Sequence, residues 1–110
     1  MALTPEGRVK RRVSAFLGTM PGLYYYMPVQ AGYGRATLDY VGCYLGRFFA
    51  VETKAPGKHA TDRQRAVMKA MTEAGAAVFV IDSDDLSELK RWMTEIKESV
   101  SEAHAAEHQA

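Results

Sequence analysis

The stretch Asp39-Tyr40-Val41-Gly42-Cys43-Tyr44-Leu45-Gly46-Arg47-Phe48-Phe49-Ala50-Val51-Glu52-Thr53-Lys54 decides the fold and frames the chemistry. Two runs rich in strand formers, Thr37 to Tyr44 and Arg47 to Lys54, flank Leu45-Gly46, which is the spacing of a two-residue β-hairpin. Such turns prefer Asn-Gly, so a register slipped by one residue is the alternative. In the two-residue register Asp39 stands directly opposite Glu52, with Cβ atoms ~4.5 to 5.5 Å apart. Lys54 shares the face of Glu52, because side chains alternate along a strand. Val41, Cys43, Phe48 and Ala50 lie on that face as well, so two carboxylates and an ammonium project from an apolar surface. Facing like charges destabilise a hairpin, and a partly buried carboxylate protonates unless a cation sits beside it. A divalent ion removes the conflict, since Mg²⁺ takes oxygen ligands, commonly carboxylates with water and phosphate. The purely structural alternative is an ion pair of Lys54 with one acid while the other turns to solvent.

Outward from the hairpin, the remaining elements follow. Thr4-Pro5-Glu6 has the form of a helix start, with a capping hydroxyl, a proline at the first position and an acid at the positive dipole end. Val9, Val13, Phe16 and Leu17 continue at helical spacing to Gly18, and Arg8, Lys10, Arg11 and Arg12 occupy the other face. Pro21-Gly22 is a turn, and Leu23 to Met27 is a strand stopped by Pro28. Residues 29–35, with Gly32 and Gly34, read as a loop. Thr61-Asp62-Arg63-Gln64 has capping-box form, and Val67, Ala70, Met71 and Ala74 carry a second helix to Gly75. Ala77 to Ile81 is apolar on both parities, which predicts a strand buried on both faces. Ser83 is placed to cap a third helix with Asp84 and Asp85 in its first turn and Leu86, Leu89, Met93 and Ile96 inward. The order α-β-β-β-α-β-α predicts an α/β fold, a mixed central β-sheet flanked by helices. Residues 1–98 form the domain and 99–110 a tail that extends the last helix or frays.

The composition bounds the rest. At 110 residues, 47% hydrophobic and 25% charged, the chain is one soluble globular domain. No apolar run is long enough to span a bilayer, and Glu6 and Arg8 precede any signal-peptide core, so a cytoplasmic location is expected. The lone Cys43 excludes an intramolecular disulfide and a cysteine-rich zinc site. The net charge of +1 conceals an asymmetry. Residues 1–58 hold eight basic against three acidic side chains, a net +5, and residues 59–110 six against ten, a net −4. That asymmetry is compatible with a polyanion-binding face and equally with two solvated surfaces.

Asp39, Glu52-Thr53-Lys54, Gln64 on the next helix and Glu6 on the first helix occur together in an order that resembles the PD-(D/E)XK nuclease superfamily, and within it the small VRR-NUC domains of phage, bacterial and DNA-repair proteins. The resemblance covers about residues 4 to 90. Glu6 matches the first-helix acid, Asp39 the acid of the PD motif, Glu52 and Lys54 the E-x-K motif, and Gln64 the helix glutamine of a T-x-x-Q pattern. Ala36 and Leu38 replace the usual Gly and Pro ahead of the aspartate.

The resemblance implies a restriction-endonuclease-like fold and a metal-dependent DNA endonuclease. Asp39, Glu52 and the Thr53 carbonyl would hold Mg²⁺ or Mn²⁺, and Lys54 would orient water or stabilise the transition state. Glu6 either joins the metal or serves the helix dipole, and Gln64 either completes the capping box or flanks the site as well. Arg8, Lys10, Arg11, Arg12, Arg35 and Lys58 are the candidate DNA contacts. The expected substrate is branched, Holliday-junction-like DNA cut by a homodimer in a bacterial or phage-infected cell. The alternatives are a nicking or flap nuclease and a catalytically silent nucleic-acid-binding module. Tyr24 to Tyr26 stack on bases or belong to the core. Tyr24, Tyr25, Tyr26, Tyr33 and Met27 around the first strand, or Trp92 on the third helix, are also the candidate pairing surface, and ordinary core is the alternative. His104 and His108 lack a third ligand and read as a solvated tail.

Overall fold

The computed structural model describes residues 3–29 and 36–109. The hairpin takes the two-residue register. Strands β2 (Tyr40–Tyr44) and β3 (Arg47–Thr53) pair from Tyr44 with Arg47 to Tyr40 with Val51. Leu45 and Gly46 have φ of 47° and 85°, the two positive values that a type I′ turn needs. For a residue with a Cβ this conformation costs roughly 1–2 kcal/mol. Tertiary contacts offset it. The Leu45 amide donates to the Gly22 carbonyl at 3.1 Å, and the leucine side chain rests on Gly22, where a Cβ would come within 2.6 Å of its Cδ2.

Strand β2 begins at Tyr40 rather than Thr37, and the cause is side-chain competition. Asp39 Oδ2 accepts from the Thr53 amide at 2.9 Å and from its hydroxyl at 2.7 Å, while the Asp39 amide donates to Glu52 Oε1 at 3.2 Å. Side chains thus take over the place of the next rung of the ladder. Strand β1 (Leu23–Tyr26) pairs antiparallel with β2, and β4 (Ala77–Ile81) pairs parallel with β3, giving the sheet order β1-β2-β3-β4.

Helix α1 (Pro5–Leu17) opens as its sequence predicts, with the Thr4 hydroxyl accepting from the Gly7 amide at 3.0 Å. Helix α2 (Asp62–Glu73) carries the complete Thr61–Gln64 capping box and crosses over to β4. Two expectations are corrected. β4 is an edge strand, not one buried on both faces, and Val80 is 44% exposed. Helix α3 (Ser87–Gln109) starts beyond Ser83. The Ser83 hydroxyl accepts from the Asp85 amide and the Asp85 carboxylate from the Ser87 amide, so side-chain turns consume the residues expected to be helical. These Ser87 bonds, the largest influence on it, hold the Asp85 carboxyl below its ordinary range.

The sheet separates two apolar clusters. On one face α1 and α3 bury Val9, Val13, Leu17, Tyr40, Phe49, Val51, Leu89 and Met93, and the Trp92 ring lies against Tyr44, Phe49 and Phe79. Trp92 therefore belongs to the core. On the other face α2 covers only Leu38, Val41 and Ala50, through Val67, Met68 and Met71. No helix among the described residues is long and apolar enough to cross a membrane.

Candidate active site

Three elements converge at the end of the hairpin away from its turn. Strand β3 contributes Glu52, only 2% exposed, and just past the strand's end comes Lys54, whose Nζ lies 3.6 Å from Glu52 Oε2. The residue preceding β2 is Asp39, tied to Thr53 as described. Helix α2 sends Gln64 to the same place. Its Nε2 donates to Glu52 Oε2 at 2.5 Å, and its Oε1 accepts from the Thr61 amide at 2.9 Å. One side chain thus serves both the cap and the Glu52 carboxylate, through different ends of its amide.

Helix α1 reaches the site from the opposite layer. The Tyr40 hydroxyl donates to the Lys10 carbonyl at 2.8 Å and lies 2.7 Å from the Ser14 hydroxyl, which pins the helix to β2. Burial raises the Tyr40 pKa above its ordinary value. From this anchored turn Lys10 places Nζ 3.8 Å from Asp39 Oδ1 and 3.8 Å from Glu6 Oε2. Grouped with the arginines in the sequence, Lys10 stands instead between two acids. The clue in the sequence was its i,i+4 spacing from Glu6. Glu6 itself is linked to the pair through Lys10. Among the described residues no group of three or more His, Cys, Asp or Glu side chains is placed to hold a metal.

The electrostatics follow from burial. Loss of water, then repulsion from Asp39, pushes the Glu52 carboxyl up to about 7, against the opposing pull of Lys54. A carboxyl held near neutrality gains most from any cation that restores its charge. The oxygens gathered here, the carboxylates of Asp39 and Glu52 beside the Thr53 backbone, are of the type that hard divalent ions take. Two ammonium groups, Lys10 and Lys54, balance the acids here.

Arg8, Arg11 and Arg12 are exposed along one side of α1, where they line a shallow hollow with Leu3, Ala15 and Asp84. Lys58 is exposed in the loop after β3. Arg35 and Tyr33 lie outside the described residues. Of the tyrosines, Tyr25 packs against Tyr40 with ring centres 5.7 Å apart, while Tyr24 and Tyr26 face solvent.

A solved structure of a VRR-NUC domain has a TM-score of 0.61 with this chain, covering 89% of it and 96% of the other, at 20% identity. The chain is similar in fold to a VRR-NUC domain. No family model and no curated protein matches the sequence. At this coverage the VRR-NUC likeness takes in most of the sheet and helices that carry Asp39, Glu52, Lys54 and Gln64.

Proposed function

We propose that the chain is a metal-dependent nuclease that hydrolyses phosphodiester bonds in DNA. One observation carries the reading: a buried glutamate, Glu52, faces Asp39 at the end of a hairpin with Lys54 3.6 Å away. The repulsion between two such acids side by side costs the fold stability. The likeness to a VRR-NUC domain supports the same class of chemistry.

Asp39, Glu52 and the Thr53 carbonyl would hold Mg²⁺ or Mn²⁺, with Glu6 joining from α1. A bound ion of this kind polarises a phosphoryl oxygen and lowers the pKa of its water. The protein's own part is pre-organisation. Thr53 holds Asp39 Oδ2 with two bonds, and the Asp39 amide and Gln64 hold the two oxygens of Glu52. Neither acid needs to reorient when substrate arrives. Lys54 orients the attacking water or offsets charge growing on the phosphoryl oxygens. Arg8, Arg11, Arg12 and Lys58 engage flanking phosphates. In the finer form of the proposal, the substrate is branched DNA and two identical chains act together in the cytoplasm, because a symmetric junction requires two matched cuts.

The test is a set of labelled DNAs (single strand, duplex, nicked, flap and four-way junction) incubated with Mg²⁺, Mn²⁺ or EDTA. Metal-dependent cutting strongest on the junction, and absent in Glu52→Ala, is the expected result. Metal-dependent cutting strongest on nicked or flap DNA would remove the junction preference. No cutting of any DNA with either metal would overturn the nuclease reading in favour of a binding module.

A further inference from the structure

The register arranges the α2 side of the sheet in rows. Tyr24, Cys43 and Phe48 form one cross-strand row, Tyr26, Val41 and Ala50 the next, and Glu52 follows on β3. Neighbouring rows are ~6.5 to 7 Å apart along the strands. Tyr26 therefore stands one row from Glu52 and Tyr24 two.

α2 covers Val41 and Ala50 but leaves the outer rings open, with Tyr24 72%, Tyr26 54% and Phe48 48% exposed. These rings, with Val41, Cys43 and Met71, border a hollow of about 420 Å³, and none of the described residues that line it is charged. A stable pair of chains buries roughly 20–30 residues a side. The nine described residues around this hollow fall well short of that. A flat neutral heterocycle suits it better: aromatic rings take a base on their faces whatever its sequence, and phosphates find their charges elsewhere. Bases inside a duplex are already stacked, so only unpaired ones are available.

We propose that Tyr24, Tyr26 and Phe48 form a stacking platform for unpaired nucleobases of the strand whose phosphodiester lies at Asp39 and Glu52. The placement of that strand rests on the nuclease reading, but the platform is testable without cleavage. Fluorescence anisotropy in EDTA compares a short labelled oligothymidine with an abasic strand of equal length. The parent should bind the thymidine strand about tenfold or more tightly than the abasic one. Tyr24→Ala/Tyr26→Ala should erase most of that difference and leave abasic binding unchanged, while Tyr24→Phe/Tyr26→Phe should keep it. Equal binding of both strands by the parent, or equal weakening of both by the alanine variant, would overturn the platform. So would a shift from dimer to monomer on sedimentation of the alanine variant with the base preference intact, which would assign the face to self-association. Base-dependent binding by a protein that cuts no DNA would instead overturn the nuclease reading and leave the platform standing.

Discussion

The two faces of one sheet are used for different purposes. Towards α1 and α3, Tyr40, Phe49 and Val51 are 0% exposed, and every strand contributes to a continuous apolar layer. Towards α2, the same strands bury a small cluster with Leu38 at Val41 and Ala50, then turn polar at Glu52 and stay open at Tyr24 and Phe48. Because side chains alternate, adjacent residues of one strand belong to opposite regimes. One face holds the fold together, which leaves the other free to keep groups that a core would reject.

The largest test of that division is catalytic. Glu52→Ala and Asp39→Ala should each lower metal-dependent cleavage by about 10² to 10³ or more in single-turnover assays. Their stabilities should diverge. Without metal at pH 8, Glu52→Ala relieves repulsion and should melt no lower than the parent. Asp39→Ala leaves the amide and hydroxyl of the fully buried Thr53 without their acceptor and should cost about 1–3 kcal/mol.

The neighbours Phe48 and Phe49 give the sharpest structural comparison. Phe49→Ala should destabilise by about 3–5 kcal/mol in urea unfolding. Phe48→Ala, on the open face, should cost less than about 1 kcal/mol. Similar losses at both positions would erase the distinction between the faces.

A third test uses pH. The folded-state pKa of Glu52 is raised, so the fold binds its proton more tightly than the unfolded chain does. Its contribution to stability is present at low pH and is lost as pH rises from the ordinary value of 4.5 through about 7. In EDTA the parent should lose roughly 2–3 kcal/mol relative to Glu52→Gln between about pH 5 and 8. Added Mg²⁺ should restore the parent and leave the variant unchanged, as thermal melts would show.

Gln64→Ala removes half of the capping box and a partner of Glu52, and should cost about 1–2 kcal/mol. Cleavage should fall about 10- to 100-fold, the usual effect of losing a ligand-orienting group. The smallest effect is expected on α1. Arg11→Ala/Arg12→Ala should leave stability unchanged and flatten the log-log salt dependence of DNA binding by about two at most.

The open face also shows where sequence and structure divide the information. Spacing and residue type were enough for the order of the seven elements, the caps at Thr4 and Thr61, and the meeting of Asp39 with Glu52 across a two-residue turn, because each depends on short-range geometry. The elements that shifted did so through competition between nearby polar groups: Asp39 took donors from Thr53 and shortened β2, and Asp85 took the Ser87 amide and delayed α3. What no local pattern contains is which surfaces end up covered. That β4 lies at an edge, that Lys10 reaches Asp39 across layers and that Tyr24 and Tyr26 remain open while Tyr25 is packed all follow from how three helices share two faces of a four-stranded sheet. Even the unusual Leu45 turn belongs to this class, since the contact that tolerates its backbone lies at Gly22, more than twenty residues back along the chain.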